Sequence, residues 1–207
     1  MVLGVILSLL IFGRSLNYYF FQDDWFVLNY TSQKSLESLF GFNTQIIYYR
    51  PLGMFVFFKV MHTLFNLNPF PYHLVSLLIH LANGFVMYML LKLFTKSKKA
   101  SLLPTLLYLS ASFHFMTLSW LSLTWVYIGN LFILSTLYFF VKYLIGNQLK
   151  NIFICIALFV LALLSTEFAI IVPPLLIICY FFFSKTKYNY KSFYAMMPIT
   201  AIVILYL

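Results

Sequence analysis

Apolar side chains fill seven long runs of this chain, and short polar or charged segments separate them. The runs cover residues 2–21, 52–67, 70–91, 102–118, 120–145, 152–183 and 193–207. A helix of about 20 apolar residues is long enough to cross a bilayer. The pattern therefore predicts an all-α, polytopic integral membrane protein, in which the long run 152–183 folds as a tight hairpin of two helices.

The run 52–67 has a different pattern from the others. It is short for a membrane span, and its polar residues recur at helical spacing, so that they form one stripe. These residues are Lys59, His62, Thr63 and Asn66. A single polar stripe on a short apolar helix is typical of a helix that lies in the membrane interface. We therefore expect residues 22–70 to form one extracytoplasmic loop that contains an interfacial helix.

The composition supports a membrane protein and argues against a nucleic-acid-binding one. Hydrophobic residues make up 63% of the chain and charged residues 8%, and the net charge is +9. The lysines and arginines lie singly or in short clusters between apolar runs, as membrane-flanking anchors do. The two cysteines lie inside apolar runs and are expected to pack as small hydrophobic residues. The last apolar run is too short to span, so we expect 1–207 to be a single transmembrane domain at the N-terminus of a longer chain.

The lysine clusters predict the orientation. The segment "KLFTKSKK", residues 92–99, is the strongest cytoplasmic signal, and lysines at 142–150 and 185–191 mark two further cytoplasmic loops. Between these loops the chain must cross the membrane and return, which places the outer turns near 114–121 and near Glu167. Asp23 and Asp24, which follow the first run, then lie on the same outer face.

Adjacent carboxylates at a membrane surface suit proton transfer. One carboxylate can act as a general base on an acceptor hydroxyl, while its neighbour orients the acceptor or raises the pKa of the base. The alternative for Asp23 and Asp24 is a solvated helix exit, in which Asp24 caps the following helix. A divalent metal site is possible but not indicated, because adjacent side chains rarely point at one ion.

Five further residues are candidates for substrate binding on the outer side. Arg50 precedes a proline and suits bidentate phosphate contact, or else anchors the chain to headgroups. His73 and His80 share one helix face, and His114 ends the next helix where it can reach the same pocket. Each of these histidines can equally be a hydrogen-bonded structural residue. Glu167 is either a cavity residue or part of a helix N-terminus at the hairpin.

Five motifs in a fixed order resemble those of a known superfamily. They are "QDDW", "YYRPL", "LNPFPYHLVSLLIHLAN", an outer-loop histidine and "STEFAIIVPPL". Together they resemble the GT-C glycosyltransferases that use polyprenyl-phosphate-linked sugars, and among these the protein O-mannosyltransferase-like branch. The resemblance covers roughly residues 17 to 180 and implies a GT-C-like helical bundle.

The resemblance implies a membrane glycosyltransferase that moves a hexose, such as mannose, from a lipid-linked phosphate donor to a hydroxyl acceptor. By analogy Asp23 is the general base of an inverting displacement and Asp24 shapes the acceptor site, although the two roles can be exchanged. Arg50 and the histidine-bearing helix then help to hold the donor phosphate, and Glu167 lines the cavity. No cofactor is required. The acceptor is a protein, a lipid or a glycan.

Three positions depart from the family pattern: Ser76 replaces an asparagine, Thr166 replaces a lysine, and Asn130 stands where a basic residue is common. Two alternatives to an active glycosyltransferase stay open. They are a transporter or lipid flippase, and a non-catalytic scaffold with the GT-C fold. The abundance of Phe, Ile, Leu, Asn and Lys is typical of a low-GC bacterial coding sequence, so we expect a bacterial cell membrane with an extracytoplasmic active site.

Overall fold

The computed structural model describes residues 1–41, 48–183, 194 and 196–206, and within these ranges the chain is helical and contains no β-strand. We number its α-helices in chain order. They are α1 (Val2–Phe12), α2 (Asp23–Ser32), α3 (Phe57–Phe65), α4 (Pro69–Thr95), α5 (Lys98–Ser110), α6 (His114–Ser119), α7 (Thr124–Gly146), α8 (Leu149–Leu163), α9 (Val172–Phe183) and α10 (Met197–Tyr206). The predicted all-α fold is confirmed for these ranges.

Among the described helices, two are long and apolar enough to cross a membrane: Pro69–Thr95, and Leu121–Gly146, which includes the turn before α7. Four shorter apolar helices cover Val2–Asn17, Pro51–Phe65, Leu149–Leu163 and Glu167–Phe183. Two candidate membrane helices support the predicted polytopic bundle. The full set of membrane spans stays a prediction.

Local sequence explains where the two long helices begin and end. Pro69 occupies the first turn of α4, where its missing N–H costs no hydrogen bond, and the Asn68 side chain accepts from the Phe70 N–H at 3.2 Å. Lys96 ends α4 and Asn147 ends α7, both in the left-handed conformation with φ of 54° and 50°. Such a residue turns the chain away from the helix axis while its N–H bonds a carbonyl of the last turn.

Helix α7 is the central element. It packs against α4, α8 and α9, while α5 packs on α4 and α1 packs on α5. The largest core cluster joins α7, α8, α9 and α10, and includes Phe140, Phe159 and Leu176, all completely buried. The helices therefore pack as one bundle around α7.

The first and fourth apolar runs are shorter as helices than their hydrophobicity predicts. The first run was expected over 2–21, but α1 ends at Phe12 and a 3₁₀ turn carries it only to Asn17. The Ser15 hydroxyl bonds the Phe12 carbonyl at 2.7 Å, which competes with the helical pattern. In the run 102–118, α5 ends at Ser110 and the short α6 follows after a turn.

The predicted interfacial helix exists as a helical segment over Pro51–Phe65. It begins with a π-helical stretch, Pro51–Val56, and continues as α3. Phe57, Phe58 and Met61 are buried against the rest of the chain, whereas Thr63 on the polar stripe is exposed. Lys59 and His62 of the polar stripe are half-buried, and placement of this segment in a membrane interface stays a prediction.

Candidate active site

The two aspartates occupy different environments at the start of α2. Asp24 is completely buried, and its carboxylate accepts hydrogen bonds from the backbone N–H of Phe21 at 2.9 Å and of Ser122 at 2.5 Å. Asp23 is exposed. Gln22 immediately before them has φ of 43° and ψ of −111°, a strained conformation for a residue with a side chain. This turn separates the two carboxylates, one inward and one outward.

Burial raises the pKa of Asp24 above its ordinary value of 3.8, and hydrogen bonds from Phe21 and Ser122 act in the opposite direction. The Asp24 carboxylate ties the start of α2 to the turn that precedes α7. Its lone pairs are engaged by backbone donors, so its position fits an organising role. Asp23 has the accessible carboxylate of the pair.

A cavity of about 760 Å³ lies beside this turn. One wall is formed by residues 17–22 and the other by residues 115–120 at and after α6. Gln22 lines the cavity and Asp23 follows it directly in the chain. The space is large enough for a small-molecule ligand, and Asp23 is not among the residues that line it.

Arg50 and Glu167 meet although 117 residues separate them. The Arg50 Nε donates to one Glu167 carboxylate oxygen at 2.7 Å, and its Nη2 donates to the other. The guanidinium carbon also lies 3.4 Å from the ring centre of Trp125 and 4.3 Å from that of Tyr48. Arg50 is 8% exposed. A bidentate carboxylate and two aromatic rings therefore fix the plane of this guanidinium.

Two glycines position the corner that carries Glu167. A Cβ on Gly53 would lie 2.5 Å from the Ser165 carbonyl oxygen, and one on Gly129 would lie 2.3 Å from the Thr166 methyl carbon. The Thr166 side chain, 1% exposed, accepts from the Phe168 N–H and begins the 3₁₀ turn Glu167–Ile171. The backbone at Gly53 and the backbone at Gly129 therefore pack closely against two sides of this corner.

The two aspartates and the Arg50–Glu167 pair lie at the same end of the bundle. Asp24 bonds Ser122 in the turn before α7, and Arg50 stacks on Trp125 in the first turn of α7. His73, near the start of α4, is buried and its Nδ1 lies 2.9 Å from the Leu118 carbonyl oxygen. These contacts bring Asp24, Arg50, Glu167 and His73 to one end of the bundle, and their placement on the outer face of a membrane stays a prediction.

His80 and His114 form a second, deeper cluster. Their ring centres are 4.3 Å apart, and both side chains are buried. His80 Nε2 lies 3.3 Å from the Leu109 carbonyl oxygen, and the Tyr127 hydroxyl lies 3.1 Å from His114 Nδ1. The structure brings these two histidines together as expected, but surrounds them with packed side chains. Their substrate-binding role stays a prediction.

The three departures from the family pattern each have a local partner. The Thr124 hydroxyl donates to Ser76 Oγ at 3.2 Å, which joins α7 to α4. The Asn130 amide donates to Asn83 at 3.1 Å and to the Tyr108 hydroxyl at 3.2 Å. Thr166 packs on Gly129, as described above. These side chains are therefore integrated into the packing between helices.

Four residues of the site were not predicted from the sequence: Tyr48, Ser122, Trp125 and Trp120. The aromatic rings gave no distinctive signal, because 21% of the chain is aromatic. Ser122 acts through its backbone N–H, which any residue except proline can supply. Within the described ranges no group of three or more His, Cys, Asp or Glu side chains could hold a metal ion. Metal independence stays a prediction.

A family comparison covers most of the residues described above. A family model described as "Dolichyl-phosphate-mannose-protein mannosyltransferase" matches residues 49–207, and so contains Arg50, the three site histidines and Glu167, while the two aspartates precede it. No curated protein and no solved structure matches the chain. Because the match covers 159 of the 207 residues, the chain belongs to this family of membrane glycosyltransferases of the GT-C type.

Proposed function

We propose that this protein transfers a hexose, mannose in the first instance, from a polyprenyl-phosphate donor to a hydroxyl group on the extracytoplasmic side of a cell membrane. The match of residues 49–207 to the mannosyltransferase family is the observation that carries the proposal. The donor lipid, the inverting mechanism and the side of the membrane go beyond that match. The mechanism rests on the arrangement of Asp23, Asp24, Arg50 and Glu167, and the side of the membrane rests on the lysine clusters.

Asp23 is the proposed general base. In an inverting displacement the acceptor oxygen bonds the anomeric carbon while the bond from that carbon to the phosphate oxygen breaks. The acceptor proton passes to the Asp23 carboxylate, and the polyprenyl phosphate leaves with the bonding electrons. Asp24 is buried and accepts two backbone hydrogen bonds, so Asp23 is the accessible carboxylate of the pair.

Arg50 is the proposed contact for the donor phosphate. The leaving group carries negative charge, and a fixed guanidinium stabilises that charge in the transition state. Glu167 engages Nε and Nη2 of Arg50, which leaves the Nη1 edge for phosphate oxygens. In this arrangement Glu167 orients the guanidinium. His73, His80 and His114 remain predicted substrate-side residues, with structural hydrogen bonds as their observed contacts.

The experiment uses the full-length protein and a polyprenyl-phosphate-linked mannose donor, with Asp23→Asn and Glu37→Gln compared with the wild type. Glu37 is an exposed acid in the same loop and serves as the matched control. Asp23→Asn is expected to lower the transfer rate about 10²- to 10⁴-fold, the usual contribution of a general base. Glu37→Gln should transfer at the wild-type rate.

Two results would contradict the proposal in different ways. If Asp23→Asn keeps the full transfer rate, Asp23 is not the base although the reaction class stands. If the wild type consumes no lipid-linked hexose with any hydroxyl acceptor, including water, the reaction itself is wrong. Transfer that persists in the presence of a strong chelator is expected, since the proposed reaction requires no metal ion.

A further inference from the structure

The paired rings of His80 and His114 form a buried cluster to which the proposed reaction assigns no proton transfer. His80 lies on α4 and His114 begins α6, and their ring centres are 4.3 Å apart. His80 is completely buried and His114 is 3% exposed. Two imidazoles are thus held in contact, away from water, where α6 meets α4.

One nitrogen of each ring has no hydrogen-bond partner among the described residues. His80 Nε2 lies 3.3 Å from the Leu109 carbonyl oxygen, which can only accept, so Nε2 carries the proton and Nδ1 is the unpartnered atom. His114 Nδ1 lies 3.1 Å from the Tyr127 hydroxyl, and its Nε2 is unpartnered. Adding a proton to either ring would therefore leave a charged, buried N–H without an acceptor, which costs free energy.

The groups that face the pair offer no negative charge to a protonated ring. Tyr108 of α5 has its ring centre 5.5 Å from that of His80 and 4.6 Å from that of His114. Tyr127 faces the pair from α7, and Phe12 at the end of α1 meets both rings edge to face. The two phenols are neutral at and below neutral pH. Among the described residues no acid acts electrostatically on either histidine, whereas a charge on His80 opposes one on His114.

Helix α6 connects the histidine pair to the turn that carries Asp23. It begins at His114 and ends at Ser119, and its residues form part of one wall of the cavity of about 760 Å³. Shortly after it, the Ser122 N–H donates to the Asp24 carboxylate, which ties this segment to the start of α2. A displacement of α6 at its His114 end would therefore disturb a contact on which the position of Asp23 depends.

We propose that the His80–His114 pair is an acid-sensitive switch, in which protonation drives the two rings apart, displaces α6 and disables the Asp23 site until the proton leaves. Histidine clusters that are buried in the neutral form suit this role, because their charged form is favoured only when the packing opens. The effect on transfer rests on the proposed function with Asp23 as base. The displacement of α6 does not rest on it.

The direction of the pH dependence follows from His114. Burial, and then the neighbouring His80, lower the pKa of His114 from 6.5 to about 4. The folded state therefore binds this proton less tightly than the unfolded state. The contribution of the neutral ring to stability is complete above about pH 6.5 and is lost as pH falls towards 4. Asp24 titrates in the opposite sense, so variants that keep Asp24 are compared.

The structural test measures hydrogen–deuterium exchange of the full-length protein in detergent at about pH 7.5 and about pH 5, above and below the ordinary histidine pKa of 6.5. Rates are corrected for the intrinsic pH dependence of amide exchange. Residues 111–123 are expected to lose protection about tenfold at the lower pH relative to α8, which packs in a different core cluster, and to regain it on return to the higher pH. Unchanged protection of residues 111–123, or an equal loss in α8, would overturn the switch.

Variants that cannot be protonated make the test specific to the pair. The amide N–H of His80→Gln can still donate to the Leu109 carbonyl, and the amide oxygen of His114→Asn can still accept from the Tyr127 hydroxyl. The double variant, or either single variant if the double does not fold, should keep the protection of residues 111–123 at about pH 5. His62→Gln on α3 replaces a half-buried histidine outside the cluster and should respond to acid like the wild type.

A transfer assay at the same two pH values tests whether the switch reaches the site. The wild type is expected to lose transfer reversibly at about pH 5, and the double variant to keep several-fold more of its own rate at the higher pH. Asp23 is common to both proteins, so its own titration does not produce this difference. Local loss of protection with an unchanged transfer rate would overturn the regulatory role. No transfer at either pH would contradict the proposed function, and the exchange measurement then decides the displacement of α6 separately.

Discussion

At the scale of single residues, Asp23 and Asp24 have different surroundings, although their adjacency in the sequence leaves their proposed roles interchangeable. Asp24 gains its second hydrogen-bond donor from Ser122, 98 residues further along the chain. No local pattern around "QDDW" predicts the contact between Asp24 and Ser122. The sequence alone therefore predicted an acidic site, but not which of the two carboxylates is accessible. The structure shows that Asp23 is exposed and Asp24 is buried, and the proposed role of Asp23 as base requires an accessible carboxylate.

Asp24 should make the stability of the protein depend on pH. Burial raises the pKa of Asp24 in the folded state above 3.8, so the folded state holds this proton more tightly than the unfolded state. The resulting contribution to stability is fully present below about pH 3.8 and is lost as pH rises through the folded pKa. Asp24→Asn cannot titrate and should remove this part of the pH dependence, which thermal unfolding of the detergent-solubilised protein at a series of pH values measures.

Two comparisons make the Asp24 prediction specific. Glu37→Gln changes an exposed acid and should keep the wild-type pH profile. Asp24→Ala leaves the buried Ser122 N–H without an acceptor and should destabilise the protein by about 1–3 kcal/mol, while Asp23→Ala should cost much less. A wild-type pH profile in Asp24→Asn would show that Asp24 is not the titrating group.

At the scale of helices and turns, the corner between α8 and α9 determines where Glu167 meets Arg50. Apolar patterning predicted this corner from the length of the run 152–183, and the structure places the break between Leu163 and Glu167. The partner across the site was not predictable, because Arg50 reaches Glu167 only through the packing of the segment Pro51–Val56 on the corner. One direct link is the hydrogen bond from the Leu52 N–H to the Leu164 carbonyl at 2.9 Å.

Gly129→Ala should disturb this corner. The added Cβ would lie 2.3 Å from the Thr166 methyl carbon, so either α7 or the corner must shift. Overpacking of this kind costs about 1–3 kcal/mol, and the shift should also loosen the pairing of Glu167 with Arg50 and reduce transfer. Unfolding temperature and transfer rate are measured together. Gly146→Ala is the control at the other end of α7, where an added Cβ meets nothing within 4 Å.

The comparison with Gly146→Ala tests whether steric contact of the added Cβ causes the effect. If both alanine variants lower the unfolding temperature equally, helix backbone effects rather than the contact with Thr166 explain the loss. If Gly129→Ala unfolds at the wild-type temperature and transfers at the wild-type rate, the close approach of α7 to the corner is wrong. Equal stability with reduced transfer would instead place the effect on the Arg50–Glu167 pair alone.

At the scale of the whole molecule, charge divides the bundle into two ends. The start of α7 lies beside Ser76, about two turns into α4, as the Ser76–Thr124 hydrogen bond shows, and Asp24, Arg50 and Glu167 lie near the start of α7. Lys92 lies in the last turn of α4, and Lys142 lies in the C-terminal part of α7, which ends at Gly146. The sequence could predict this division because lysine clusters and helix parity are local signals. It could not predict how short α1 and α5 are, since turns inside apolar runs depend on side chain to backbone contacts such as that of Ser15.

The positive-inside rule assigns the lysine end to the cytoplasm and the Asp23 end to the opposite side, which labelling can test. Cys155 and Cys179 are buried among helices and are first replaced by alanine. In this background Asp23→Cys and Lys98→Cys, both at exposed positions, are treated with an impermeant thiol reagent in intact cells. Asp23→Cys should react from outside, and Lys98→Cys only after the membrane is permeabilised. The reverse pattern would place Asp23, and the transfer reaction with it, on the cytoplasmic side, and reaction of both positions in intact cells would exclude a membrane between the two ends.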